Sequence, residues 1–560
     1  MLKPTRRISP AVSVTAVAAA IVVLTGRCTA AEQPKVNNVI MLIADGCSTD
    51  QYTLARWYHG KPLPTDGILV GAVKTYAADS VITDSAPSAS AYAAGVRTSS
   101  KGISVGPGPK TLSIVPKPPE DLQHRPLATV LEGARLEGKA TGIVVTCRVS
   151  HATPAAFMAH TRLRDLEEDV MEQAVHQNVD VVFGGGRDYL LPKGAGGKRS
   201  DGENLLEALK ARGYQIVGTR YELSQIRSAR VFGMFAKDHM AAEIDRKEFA
   251  PKEPTLEEMT RKAIELLAGR PQGFFLMVEG SQVDWGCHAN DPAHTLSDLL
   301  MFEKAVQAAL DFAAKDGSTL VLALSDHNTG GMSIGNSSSR GSSTQMPERD
   351  LLEPLRRMKL SAPGMWKKLG DDKTPANIKR VVKQFWDMPI TDADANQILA
   401  VAKRDKSNPQ NAFGEVLCAK YTVIGWTTHG HCGGDVPLFA YGPGRPAGLV
   451  DSPEIGRVAA RALGLDLEKL NERLFVDAKK ALADGKVTLD TADKQNPVVV
   501  IEFQGKTARM PVNKNLLKLG GKTIELEGVV VYSSDTGKSY VPVQAVRLIR
   551  GETAQLSPIK

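Results

Sequence analysis

Three apolar runs, each closing on a carboxylate, constrain this chain most. NVIMLIAD (38–45) ends in Asp45, GFFLMVE (273–279) in Glu279, and TLVLALSD (319–326) in Asp326, with His327 directly after it. Runs this short, unbroken and branched read as strands buried on both faces, the habit of a parallel sheet covered by helices. TGIVVT (141–146), VDVVFGGG (179–186) and VPLFAYGP (436–443) share the pattern. Helical periodicity is predicted over 126–138, 202–213, 255–269 and 293–315. The expected class is α/β, with a central, mostly parallel sheet flanked by helices. Ligands of open α/β sheets gather at the carboxyl ends of the strands. Crowded carboxylates there would repel one another and take up protons unless a cation sits among them. One strand-end aspartate is usually a cap or turn residue; three such ends with an adjacent imidazole point to a metal site.

The 560 residues suffice for one large α/β domain and something smaller. The predicted division is an export signal over 1–31, a catalytic domain over 32–474 and a β-rich domain over 475–560. A segment at about 336–420, charged and proline-rich, reads as an inserted helical or irregular subdomain. The tail alternates β-branched and polar residues between Gly-Gly and Asp-Thr-Gly turn signals. At the N-terminus, Lys3, Arg6 and Arg7 precede the apolar AVSVTAVAAAIVVL (11–24) and then small residues, with cleavage expected near Ala30 or Ala31. That run is short for a membrane span, and no later segment is a transmembrane candidate. A periplasmic or extracellular location follows. Arg6-Arg7 leave twin-arginine export open, and lipid anchoring at Cys28 is an alternative that Arg27 disfavours. A net charge of +7, with no basic cluster interleaved with aromatics, gives no support to nucleic acid as a specific partner. The six cysteines match no zinc-ribbon or knottin spacing, and a Cys147–Cys418 disulfide is permitted but not selected.

Histidines add to the carboxylates. In VEGSQVDWGCHANDPAH (278–294), Asp284 and His288 lie four apart, so on a helical turn they share a face, and such a pair suits zinc. SDH (325–327) is a second pair, and GWTTHGHCGGDVP (425–437) brings His429 and His431. VITDSAPSASAYAAG (81–95) places Ser85 at the mouth of an alanine-rich helix, where it reads as an N-cap with Pro87 in the first turn. No histidine neighbours Ser85 in sequence; as a nucleophile it would need a cation to lower its pKa. Two G-x-S-x-G matches, at Ser104 and Ser333, lack the strand–turn–helix setting that motif requires.

TDSAPSASA, the first-strand DG, HATPAAFMAH, GGGRDY, VEGSQVDWGCH, SDHNTGG and THGHCGGDVP, in this order from about Asn38 to Leu463, together resemble the alkaline phosphatases. The likeness is to exported bacterial members with a β-rich C-terminal extension. It implies hydrolysis of small phosphate monoesters through a phosphoseryl intermediate on Ser85, in a homodimer. It further implies one zinc held by Asp284, His288 and His431, and a second by Asp45, Asp326, His327 and Ser85. A third, magnesium-type ion would use Asp45, Thr153 and Glu279, and Arg164 would grip the phosphoryl oxygens. Arg164 is preferred to Arg162 because it lies four residues after His160, and His431 to His429 because it directly precedes the small-Gly-x-Asp run. His151 and Trp285 stand where the best-known bacterial enzyme has an aspartate and a lysine, beside the third ion and the phosphate. The third ion is therefore open between Mg2+, Zn2+ and another divalent cation, and weaker retention of product phosphate is expected. Cys47, Cys287 and Cys432 adjoin ligand positions, but the histidine and carboxylate set is complete without them. A diesterase is disfavoured by Thr153, Glu279 and Arg164, and a sulfatase by the absence of its modification motif. An exported metal- or phosphate-binding protein would share the ligands without turnover.

Overall fold

The computed structural model describes residues 36–336 and 343–552. The expected export signal (1–31), Cys28 and most of the serine-rich stretch 336–343 lie outside the described residues. The main sheet has ten strands: β1 (Asn38–Ala44), β2 (Leu69–Lys74), β3 (Ala140–Arg148), β4 (Val181–Gly185), β5 (Gln215–Val217), β6 (Val231–Met234), β7 (Phe274–Gly280), β8 (Thr319–Leu324), β9 (Val436–Tyr441) and β10 (Gly448–Asp451). Their spatial order is β10-β2-β9-β8-β1-β7-β3-β4-β6-β5. β1 lies between β7 and β8, parallel to both.

The unbroken apolar runs have a direct cause. Along β1, Ile40, Leu42 and Ala44 enter one hydrophobic core while Val39, Met41 and Ile43 enter another on the opposite face. Side chains alternate across a strand, so a sheet with a core on each side leaves no position for a polar residue. Registers of Ile43 with Glu279 and Leu324 bring the three run ends to one edge. The run 436–443, read as one more parallel strand, instead forms β9, antiparallel to both β2 and β8. Apolar periodicity carries no information on strand direction.

The inserted segment is helical, with helices Glu348–Arg357, Ala362–Leu369, Pro375–Phe385 and Asp392–Arg404. In the tail, β11 (Lys486–Asp490), β12 (Val498–Phe503), β13 (Lys506–Pro511), β14 (Leu516–Leu519) and β15 (Lys522–Glu525) form an antiparallel sheet in sequence order. Val499, Ile501, Phe503, Ala508 and Met510 form a core of their own. The tail also contains the helix Val543–Arg550, whose Ala545 and Ile549 enter that core. Its VPVQAVRLI sequence imitates strand alternation; the Pro542 cap and left-handed Gly551 bound the helix instead. Among the described residues no helix is long and apolar enough to cross a membrane.

Candidate metal centre

Ser85 opens the helix Ser85–Ala94, all ten residues of which are buried. Small side chains let this helix sit close to its neighbours: Ala86 packs with Ala152, Ala155 and Ala159. Ser88 Oγ donates to the Asp326 carbonyl at 2.7 Å and Tyr92 Oη to that of Ser325 at 2.9 Å, tying the helix to the end of β8. The N-cap is Asp84 and not Ser85, a correction to the sequence reading. Asp84 is extended and its Oδ1 accepts from Ala86 N at 2.7 Å. Its Oδ2 accepts from Lys101 N at 3.3 Å. With Asp84 as the cap, Ser85 is the first helical residue and its hydroxyl is left for another partner, His327 Nε2 at 3.1 Å. His327 is the imidazole that the resemblance grouped with Ser85, although none neighbours it in sequence.

The other predicted residues converge on the same place. Ligand atoms of Asp45, Asp326 and His327 lie within 4.8 Å of one another, as do those of Asp284, His327 and His431. His288 Nε2 stands 3.1 Å from Asp284 Oδ2, and its ring centroid is 5.1 Å from that of His431. His288 turns Nδ1 to the His429 carbonyl, and His431 turns Nδ1 to the Thr83 carbonyl at 3.0 Å. Both therefore present Nε2 to Asp284, the orientation that backbone carbonyls impose on metal-binding imidazoles. His429 stays outside, with its Nε2 3.1 Å from Glu415.

The carboxylates are under electrostatic strain. Burial, then the fields of Asp326, Asp284 and Glu279, hold Asp45 well above its usual pKa. Burial lifts Glu279 to about 7, and burial with the field of Asp284 lifts Asp326 to about 6. For Asp284, burial acts in the same sense, but His288 and the other imidazoles outweigh it and hold the acid well below the carboxylate range. Asp45 Oδ1, Glu279 Oε1, Asp326 Oδ2 and Thr153 Oγ1 are buried with no hydrogen-bond partner among the described residues. Oxygens so placed cost free energy unless something satisfies them. A cluster of oxygen and imidazole donors, short of protons to share, suits divalent cations.

Arg164 reaches the same site, with Nη1 3.2 Å from Asp84 Oδ1 and Nη2 3.0 Å from His151 Nε2. Arg162 points away, to Asp535 of the tail at 3.1 Å. Burial, then the Arg164 charge, keeps His151 neutral. Its ring meets Trp285 and His239 edge-on, each at 5.6 Å between centroids.

Several residues here escaped the sequence reading. Cys147 Sγ donates to Glu279 Oε2 at 3.3 Å and groups with His151 and Glu279 within 4.8 Å. Thr329 Oγ1 donates to Asp284 Oδ1 at 2.6 Å. Gly46, the glycine of the first-strand DG, has φ +71°, and a Cβ there would come within 2.5 Å of Asp284 Oδ1. His239 comes from the loop after β6, beyond the strand end, where no local signal marks it. All described cysteines are free thiols, so Cys147 and Cys418 are not bridged. Cys287 bonds with Gln51, while Cys47 donates to the Ser48 carbonyl. The two G-x-S-x-G serines lie elsewhere: Ser104 is bonded to the Ala156 carbonyl, and Ser333 is exposed and bonded to Gly335.

Known proteins resemble this chain in sequence and in fold. The alkaline phosphatase family model matches residues 36–465. Alkaline phosphatase 3 of Bacillus subtilis is 34% identical over 462 residues, covering 79% of this chain and 92% of that protein. The crystal structure of Thermus thermophilus alkaline phosphatase superposes with a TM-score of 0.68 at 28% identity, over 77% of this chain and 92% of that one. A histidine-to-aspartate variant of the alkaline phosphatase from an Antarctic bacterium, with Mg bound in its M3 site, gives 0.55 at 26% identity over 78% and 100%. The chain belongs to the alkaline phosphatase family and is a phosphoric monoester hydrolase.

Proposed function

We propose that Ser85 attacks the phosphorus of a phosphate monoester, the alcohol departs, and water then releases inorganic phosphate from the phosphoseryl intermediate. The observation that supports this most is the set of unpartnered buried carboxylate oxygens on Asp45, Glu279 and Asp326 around a serine held at a helix start. Asp284, His288 and His431 would hold one zinc, and Asp45, Asp326, His327 and Ser85 a second. Bound there, two such ions lower the pKa of the serine hydroxyl and neutralise charge on the attacking and leaving oxygens. The chain's own groups position the rest. Arg164 offers a planar fork matched to two phosphoryl oxygens, which lysine could not supply. The helix beginning at Ser85 directs N–H groups and the positive end of its dipole at the transferring group. Trp285 and His151 flank the phosphate.

Asp45, Thr153 and Glu279 would hold a third ion of the magnesium type. A second reading of that site rests on one observation: Cys147 and His151 stand as close to Glu279 as ligands of one ion do. Sulfur and imidazole donors favour a zinc-class ion over Mg2+. The Antarctic variant described with Mg in its M3 site carries an aspartate in place of a histidine, in line with oxygen donors suiting that ion.

We also propose that residues 1–31 direct export, to the periplasm or beyond the cell, that the mature chain dimerises, and that 32–474 and 475–560 are separate domains. Hydrolysis of p-nitrophenyl phosphate tests the central reading. Ser85→Ala abolishes turnover with metal content retained; a variant that keeps its activity refutes the nucleophile.

A further inference from the structure

Besides Asp84, two supports place Arg164, and both lead to one helix. The first is its own chain. Segment 160–164 runs beside the loop at 101–103, with Thr161 N donating to the Ile103 carbonyl at 3.0 Å and Arg164 N to that of Lys101 at 2.9 Å. On its other side the buried Gln173 clasps His160 twice. Gln173 Oε1 accepts from His160 N at 2.9 Å, and Gln173 Nε2 donates to the His160 carbonyl at 3.2 Å. The second support is His151, whose Nε2 accepts from Arg164 Nη2. Just before His151, Glu167 accepts from Arg148 Nε at 2.9 Å and Nη2 at 2.6 Å, and from Ser150 Oγ at 2.7 Å. Glu167 and Gln173 belong to the same helix, Glu167–His176.

The β-rich tail grips that helix. Positions 172, 173 and 176 share one helical face, and three consecutive tail residues meet it. Asn513 Oδ1 accepts from Gln173 Nε2 at 3.1 Å, Lys514 Nζ pairs with Glu172 at 3.1 Å, and Asn515 Oδ1 stands 2.9 Å from His176 Nδ1. Asn513 is itself anchored. Its N–H donates to the Val530 carbonyl at 2.8 Å, and the flanking Val529 and Val531 enter the core that receives Val39 and Met41 of β1. A primary amide has two N–H donors and one carbonyl, and Gln173 uses all of them on His160 and Asn513. Without the Asn513 side chain, a buried N–H loses its acceptor and the amide is free to tilt toward another, taking His160 with it. Asp535 adds an outer ion pair with Arg162, partly exposed and so worth little.

We propose that the tail positions the Arg164 guanidinium, with Asn513 as the positioning residue and the helix Glu167–His176 as the link. This rests on the reading of Arg164 as the phosphoryl fork and goes beyond it by giving the tail a part in catalysis. A planar fork matches two oxygens only at the right angle. Misplacing a catalytic contact by about 1 Å costs about a hundredfold in rate, so the smaller tilt allowed by one lost hydrogen bond is expected to cost about three- to tenfold.

Asn513→Gly removes the side chain without straining the backbone, because Asn513 has φ +67°, a region that glycine enters freely. In the metal-loaded full chain it is expected to raise Ki for inorganic phosphate and to lower kcat/KM for p-nitrophenyl phosphate, each by about three- to tenfold, with metal content unchanged. The deciding measurement is the same substitution made in Arg164→Ala. A residue that acts through Arg164 has nothing left to position there, so Asn513→Gly then changes neither constant. A residue that only holds the fold together lowers thermal stability and costs the same in both backgrounds. That result, or no loss in the parent enzyme, overturns the tail's role while the phosphatase stands. If Arg164→Ala alone costs nothing, the reading of Arg164 fails and this inference fails with it.

Discussion

Gly46 offers the sharpest test of how the centre is positioned. In Gly46→Ala the added Cβ would lie 2.5 Å from Asp284 Oδ1 and 2.9 Å from Thr329 Oγ1, where ordinary contact begins at 3.4 Å. The carboxylate must retreat by about 1 Å, a displacement of the kind that costs about a hundredfold in rate. Thr329, which bonds Asp284 at 2.6 Å, must retreat with it, and loss of such outer support lowers metal affinity by about ten- to a hundredfold. A second penalty, about 1–2 kcal/mol, comes from placing a β-carbon in the left-handed region. Gly60 separates the two effects. Its φ is +73°, close to the +71° of Gly46, yet nothing lies within 4 Å of its Cβ position. Gly60→Ala therefore carries the backbone cost alone. The expected outcome is a small loss of thermal stability in Gly60→Ala and a larger one in Gly46→Ala, with activity on p-nitrophenyl phosphate and metal content falling only in Gly46→Ala. Metal analysis and steady-state kinetics on the two purified variants decide it. If Gly46→Ala keeps its metal and its kcat/KM, or if Gly60→Ala loses as much, the close approach to Asp284 does not govern the site.

Arg164→Ala is expected to lower kcat/KM by about ten- to a hundredfold through loss of a charged, two-pronged contact. Arg162→Ala should stay within about threefold, because its partly exposed guanidinium is engaged by Asp535; equal losses would reverse the assignment. Glu132 and His160 form a fully buried pair at 3.1 Å. Glu132→Ala is expected to cost about 3–5 kcal/mol in denaturant unfolding, since it strands the imidazole. Burial, then the Arg212 charge, depresses His176 to about 3, so in acid the unfolded chain takes up its proton first. Stability from this group is complete above the unfolded value of about 6.5 and falls on acidification toward 3, by about 2 kcal/mol at pH 5. Urea unfolding at pH 7 and pH 5 should show a smaller difference in His176→Gln; an unchanged difference would remove His176 as the source.

Much of the fold was readable because its central strands are buried on both faces, which leaves runs such as NVIMLIAD without polar interruption. The same runs were silent on direction, and β9 turned out antiparallel. Ligands that follow those runs or share a helical turn were readable for a local reason: Asp45, Asp326 and His327 end strands, and Asp284 and His288 lie four apart. Cap assignment failed between neighbours, because Asp84 and Ser85 are both good capping residues. The choice depends on Lys101, distant in sequence, whose N–H joins that of Ala86 on the Asp84 carboxylate. Cys147, Thr329 and His239 were missed because their roles exist only after folding. Cys147 sits on β3, which pairs with the strand of Glu279, and His239 arrives from a loop after β6. The tail helix Val543–Arg550 was lost to a sequence that satisfies both periods over a few residues.

The phosphoryl site and the inserted segment are joined to the fold in different ways. Groups that act on the phosphoryl end come from strand ends and from short helices packed against the sheet, where moving one donor disturbs the others. Glu279, Asp45 and Asp326 already share one electrostatic field. The inserted helices meet the core differently, with Asp245 and Asp291 accepting from the backbone N–H groups of Ser361 and Ala362. Bonds to backbone constrain where those helices stand but not which side chains they display. A change at Thr329 or Gly46, by contrast, displaces Asp284 and acts on every substrate alike.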